Sequence, residues 1–309
     1  MKHLLLIDAN SVIHRAFHAL PPLTAPGGAP AGALYGLGSI FLKLWREERP
    51  DYVAALFDRP EPTFRDKKYA EYKAQRPPAP DALIEQIIAA HDLFHAFGIK
   101  TFEKPGYEAD DLIATLAERF KNENDLQVVI LTGDRDTLQL VTGEKIVVKT
   151  FNKGVSDTTT YDEAAVTAKY GLGPHQMIDY KALVGDPSDN IKGVPGVGPK
   201  TATELLQKFG SVRSVYERLH EDPKLMQKLG PFKKEAELSE ELVTLERHAL
   251  IEIPPLAELA PPPGDEGMAR YFEKMEFASL LKRLMNGEPK KPQPKTPKEK
   301  PKSTQSKLF

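Results

Sequence analysis

Cysteine is absent from the 309 residues. That excludes disulfides, thiolate metal sites, iron–sulfur clusters and cysteine nucleophiles, and it suits a reducing cytosol. Long apolar runs are absent too. Runs such as Leu4–Ile7 and Val128–Leu131 fall far short of the roughly 20 residues a membrane span needs. Asp8 cuts the first run too short for a signal peptide. Net charge is also scarce, at −2, which at face value argues against a polyanionic partner. What is present is a chain 40% hydrophobic and 28% charged, the balance of a soluble globular protein with one large domain or two modest ones.

The first half alternates two periods. Apolar runs at His3–Ile7, Tyr52–Phe57, Ile99–Phe102, Gln127–Leu131 and Lys145–Thr150 predict strands, and the unbroken ones suit strands buried on both faces. Helical spacing predicts helices over Ala33–Arg49, Asp81–Phe97 and Tyr107–Phe120. The expected fold is α/β, a mostly parallel twisted sheet with flanking helices, whose ligands bind beyond the carboxyl ends of the strands. After Tyr161 the strand signals stop. Helices are expected over Tyr161–Tyr170, Pro174–Val184, Pro199–Phe209, Glu235–His248 and Glu266–Met285, with Pro254–Pro263 as a stiff connector. The implied division is an α/β core over 1–160, a smaller helical region over 161–285, and a Lys/Pro-rich tail over 286–309 too poor in apolar residues to fold.

The carboxylates carry the chemical information. Asp8 and Asp58 directly follow the first and second strands, and Asp134 and Asp136 follow the fourth. A parallel sheet brings all of these to one edge. Two more clusters lie in Tyr107-Glu108-Ala109-Asp110-Asp111 and Gly185-Asp186-Pro187-Ser188-Asp189. Any one aspartate is most simply a helix cap or turn residue. Nine at one sheet edge would repel unless a cation compensated them. Hard oxygen donors without His or Cys point to magnesium or manganese. Two such ions are the clamp for in-line phosphodiester hydrolysis.

These segments resemble the 5′-nuclease superfamily, specifically the bacterial 5′→3′ exonuclease found alone or at the N-terminus of DNA polymerase I. The matching stretches are Leu6-Ile7-Asp8, Phe57-Asp58, Tyr107–Asp111, Thr132–Asp136 and Gly185–Ile191 running into Gly193–Thr201. The resemblance implies two Mg²⁺ ions, with Mn²⁺ able to substitute, held by Asp8, Asp58, Glu108, Asp110, Asp111, Asp134, Asp136, Asp186 and Asp189. It also implies a helix–two-turn–helix over about 185–220 that grips duplex backbone, with Gly196, Gly198, Lys200 and Thr201 at DNA and a K⁺ ion at that element. A Walker loop is excluded there, because Pro199 intrudes before Lys200 and no strand precedes it. Lys192 departs from the family, where many relatives have proline.

Residues 59–76 carry six basic side chains with Phe64, Tyr69 and Tyr72 interleaved, a composition that suits single-stranded nucleic acid. The resemblance implies a helical arch over about 59–80, with Lys73 and Arg76 as catalytic cations near the scissile phosphate and Arg65 and Tyr72 at DNA. Arg15 is a further candidate facing that phosphate. Tyr35 and Phe41 lie where relatives wedge the duplex apart, although a core role is at least as natural. The ending Gln305-Ser306-Lys307-Leu308-Phe309 resembles the peptide by which bacterial repair proteins dock on the sliding clamp, through Gln305, Leu308 and Phe309. Such an ending favours a stand-alone enzyme. The expectation is thus a monomeric, cytoplasmic, nucleoid-associated 5′→3′ exonuclease and flap endonuclease acting on DNA ends, flaps or junctions. The alternatives are an RNA-directed nuclease of related fold and a non-catalytic, structure-specific DNA-binding protein. Setting the nine acids aside leaves 35 acidic against 42 basic residues. The near-neutral total therefore conceals a basic surface around an acidic site.

Overall fold

The computed structural model describes residues 1–152, 154, 157–261 and 265–286. Six strands, β1 (Lys2–Asp8), β2 (Tyr52–Phe57), β3 (Lys100–Glu103), β4 (Leu126–Thr132), β5 (Ile146–Phe151) and β6 (Thr158–Tyr161), form one sheet in the order β3-β2-β1-β4-β5-β6. β1 to β5 are parallel. β6 runs antiparallel to β5 at the edge, a strand missed because Thr158–Tyr161 lacks an apolar run. The central strands β1 and β4 are buried almost throughout, as their unbroken apolar sequences require.

Five helices accompany this half: α1 (Ala9–Ala19), α2 (Gly32–Glu47), α3 (Phe64–Lys68), α4 (Asp81–Ala96) and α5 (Ala109–Phe120). Leu5, Ile7 and Phe57 of the sheet pack with α1, α2 and α4 in one core. Leu4, Leu6, Val128 and Ile130 point to the other face, where α5 supplies Leu112, Ile113 and Leu116. The period of two along β1 thus feeds two separate cores. The expected arch helix is reduced to the five residues of α3, and residues 70–75 form turns. Pro60 and Pro62 before it, and Pro77, Pro78 and Pro80 after it, leave little room for a continuous helix.

The second half is helical: α6 (Glu163–Tyr170), α7 (Met177–Val184), α8 (Pro199–Phe209), α9 (Val212–Glu217), α10 (Pro223–Leu229), α11 (Lys233–Val243), α12 (Glu266–Lys274) and α13 (Ala278–Asn286). Parts of α7, α8, α9 and α11 share a third small core around Leu183, Leu206 and Val215. The single helix expected over Glu266–Met285 is two, broken where Glu276 takes a left-handed φ of 54°. Nor do these two helices stay with the helical region. Met268, Phe272 and Leu280 join the first α/β core. A side chain at Gly38 would strike the Phe272 ring at 2.9 Å, so α2 must carry glycine where that ring presses in.

Candidate active site

Each acid is delivered by an element terminus. β1 ends on Asp8, which caps α1 by accepting from the Ser11 N–H at 3.0 Å and receives the Thr132 hydroxyl at 2.6 Å. Asp58 follows β2 and accepts from the Ala109 N–H at 2.7 Å, tying it to the start of α5. The helix expected from Tyr107 begins instead at Ala109, which makes Glu108 the cap residue and puts Asp110 in the first turn. That turn is where the helix dipole favours carboxylates. Beyond β4, Asp134 accepts from the Asp136 N–H at 2.9 Å. The loop 185–193 presents Asp186 and Asp189. It closes so tightly that a side chain on Gly185 (φ +81°) would lie 2.5 Å from the Ile191 carbonyl, and one on Gly193 (φ +63°) 2.3 Å from the Gly185 nitrogen.

Asp8, Asp58, Glu108, Asp110 and Asp134 line one cleft of about 410 Å³, together with Lys73, Arg76 and His14. Burial first, and Asp58 next, push the Asp8 carboxyl up to about 7. Asp110 is pushed well above the carboxylate range by burial and then by Asp8, Asp134 and Asp58. Its Oδ1 is buried without a hydrogen-bond partner. A buried carboxylate oxygen with no donor, among like charges, fits a divalent cation. Among the described residues no three such side chains stand as a ready-made cage; lysines lie between several of them instead.

Those lysines define the rest of the site. Lys73 Nζ is 2.6 Å from Glu108 and 3.7 Å from Asp189, and Arg76 pairs with Asp189. Lys181, on the last turn of α7, pairs with both Asp136 and Asp186 beside an adjoining cleft of about 580 Å³. Lys181 was not singled out in the sequence. Its only signal was its place one helical turn before Gly185-Asp186. His14 was missed as well, for a lone histidine on an amphipathic helix carries no signal. Burial, followed by the charge of His18, lowers its pKa.

Other predicted residues lie elsewhere. Asp111 is fully buried and held by Arg65 through two hydrogen bonds of 2.7 and 2.8 Å. Arg65 is 1% exposed and also donates to the Leu242 and Thr244 carbonyls. The arrangement leaves Asp111 turned to a structural ion pair and not to the cleft, and leaves Arg65 no face for DNA. Tyr72 is buried too. Its hydroxyl donates to Glu108 and Asp189 at 3.0 and 3.1 Å, so its ring is no stacking platform. Arg15 lines both clefts, but its guanidinium donates to the Asn152 and Gly154 carbonyls. Phe41 is core, and Tyr35 bonds Ser279. Gly196, Gly198 and Lys200 are exposed at the start of α8, where no side chain caps the helix, and Thr201 follows them. Gln305, Leu308 and Phe309 lie outside the described residues.

A mostly parallel sheet with acids massed beyond its carboxyl ends and lysines facing them defines an acid-centred α/β protein. Two family models match residues 3–265 in succession. The 5'-3' exonuclease N-terminal resolvase-like domain covers residues 3–171, and the 5'-3' exonuclease C-terminal SAM fold covers 172–265. The chain belongs to the 5'-3' exonuclease family. It is 39% identical over 285 residues to a 5'-3' exonuclease of Aquifex aeolicus, covering 92% of this chain and 96% of that one. It is 42% identical over 289 residues to DNA polymerase I of Caldicellulosiruptor bescii, covering 91% of this chain. The chain spans about a third of the polymerase relatives it matches, 33% in that case. Among solved structures, the fold resembles bacteriophage T5 5'-exonuclease with bound divalent ions, at TM-score 0.65 and 22% identity over 92% of this chain and 98% of that one. It also resembles human GEN1 with Holliday junction DNA, at TM-score 0.58 and 18% identity over 88% and 68%.

Proposed function

We propose that the protein is a divalent-metal-dependent 5′→3′ exonuclease and flap endonuclease that hydrolyses one DNA phosphodiester at a 5′ end, flap or junction, leaving a 5′-phosphate. One observation carries the reading: Asp8, Asp58, Asp110 and Asp134 converge from three strand ends and a helix start, with one oxygen of Asp110 buried and unpartnered. Family relatives named as exonucleases and neighbours crystallised with metal ions and DNA support it.

Asp8, Asp58, Glu108, Asp110 and Asp134 would hold Mg²⁺ or Mn²⁺, and Asp136, Asp186 and Asp189 would be the remaining candidate ligands once Lys181, Lys73 and Arg76 gave way. Such ions supply charge neutralisation at the phosphate and a more acidic water. The chain does the rest. Thr132 and Ser11 orient Asp8. Lys73 and Arg76 line the cleft, where cations offset charge that grows on the phosphate as the bond breaks. The exposed glycine-rich turn before α8, with Lys200, suits non-specific hold on duplex backbone, and a K⁺ ion at that turn is part of the proposal. Docking of the chain's last residues on a sliding clamp, a monomeric state and action in the cytosol complete it. No helix among the described residues is long and apolar enough to cross a membrane.

Incubation with 5′-flap duplexes of DNA and of matched RNA, in Mg²⁺, Mn²⁺ and chelator, tests the reading. Metal-dependent cleavage of the DNA flap is expected. Tight binding without turnover in either metal would instead support a structure-specific binding protein, and preference for RNA would support the RNA-directed alternative.

A further inference from the structure

The segment that carries Lys73 and Arg76 has no regular structure to place it, yet it is tethered at every turn. Residues 70–75 are turns, and Lys73 sits in the left-handed region at φ 52°. A conformation that ordinary side chains avoid persists only when its surroundings impose it. Three residues outside the acidic cleft impose it here. The Asn190 side chain, itself on a left-handed residue at φ 59°, donates to the Glu71 carbonyl at 2.8 Å. Lys192 Nζ lies 2.9 Å from the Glu71 carboxylate, which also accepts the Tyr69 hydroxyl at 3.0 Å. Two residues further along, the Lys73 N–H donates to the Asp189 carbonyl at 3.0 Å.

We propose that Glu71, Asn190 and Lys192 are positioning residues for Lys73 and Arg76, clasping the basic segment to the loop that presents Asp186 and Asp189. The clasp fixes the two cations relative to the carboxylates through one shared loop. Glu71 and Lys192 are 58% and 65% exposed and touch none of the acids in the cleft, so they act through the segment and not on the phosphate. An exposed ion pair contributes little to global stability. On a turn segment with no helix behind it, the same small energy decides how often the cations are in place.

The inference rests on the nuclease reading for its kinetic readout but not for its optical one. The cysteine-free chain accepts a single probe at exposed Ala74 through Ala74→Cys. Labelled there, the otherwise wild-type protein should show high fluorophore anisotropy without DNA. Lys192→Gln and Glu71→Gln should lower it, and Lys192→Arg should retain it. On a 5′-flap duplex with magnesium, the unlabelled Gln variants should lose about three- to fivefold in kcat, the scale of one exposed ion pair. KM and the melting midpoint should hold, with Lys192→Arg near wild type. Unchanged anisotropy in the Gln variants overturns the proposal. So does a looser probe with unchanged kcat, or a Lys192→Arg variant as impaired as Lys192→Gln. Loosening in a wild-type background that cuts no flap leaves the clasp standing and contradicts the nuclease reading instead.

Discussion

Asp110 keeps one carboxylate oxygen buried with nothing to accept from, while Asp111, the next residue, is held by two hydrogen bonds from the buried Arg65. The two environments give opposite predictions. Asp110→Asn should abolish most metal-dependent activity yet leave the metal-free fold as stable or more so, because a repelling charge is removed. Arg65→Ala should destabilise the fold by about 3–5 kcal/mol, the cost of leaving a buried charge unpaired, measured by denaturant unfolding. Asp8 adds a pH dependence. Its carboxyl sits at about 7, above its unfolded value, so the folded state keeps a proton that the unfolded chain releases. The Asp8 contribution to metal-free stability is therefore fully present below the ordinary carboxylate range and is lost as pH rises through 7. Melting midpoints in chelator should be higher at pH 5.5 than at pH 8.5, and Asp8→Asn should flatten the difference. The sequence displayed these acids as a set, because strand ends are legible from apolar runs. It could not separate Asp110 from Asp111. Adjacent residues on a helix start point about 100° apart, and only packing decides which faces the cleft.

At the scale of elements, the loop 185–193 couples glycine geometry to the site. Gly185→Ala and Gly193→Ala each place a Cβ within 2.5 Å of backbone. Both should reduce flap cleavage far more than Gly230→Ala, where a Cβ meets nothing nearer than the Met226 side chain at 3.3 Å. Cleavage rates of the three alanine variants, compared at equal folded fraction, check this. The central strands and α4 were readable because burial on known faces imposes a period. The edge strand β6 was not, since an edge needs no apolar run. The arch was misread for a related reason. Its basic and aromatic composition suggested a nucleic-acid surface, but Tyr72 packs with Ile191, Leu242 and Val243, and a buried tyrosine looks in sequence like a stacking one.

For the whole molecule, the chain returns to its first core after leaving it. α12 and α13 pack Met268, Phe272 and Leu280 against the helices of the N-terminal half, a long-range contact that no local pattern announces. Truncation after residue 265 strips those side chains from the core and should cost cooperative unfolding, seen as a broadened or absent thermal transition. The charge distribution works at the same scale. With the nine candidate acids set aside, basic residues outnumber acidic ones 42 to 35, so flap affinity should fall steeply as salt rises, measured as the slope of binding constant against ionic strength.

The proposed role of the strand-end carboxylates is to hold the divalent ions on which DNA cleavage would depend. Cleavage of a 5′-labelled flap duplex in magnesium, comparing wild type with Asp134→Asn at matched folded fraction, tests it most directly. Rapid cutting by wild type and a loss of about a hundredfold or more in the variant, the scale of removing a group that stabilises the transition state, is the result expected. Robust cleavage by Asp134→Asn would contradict it.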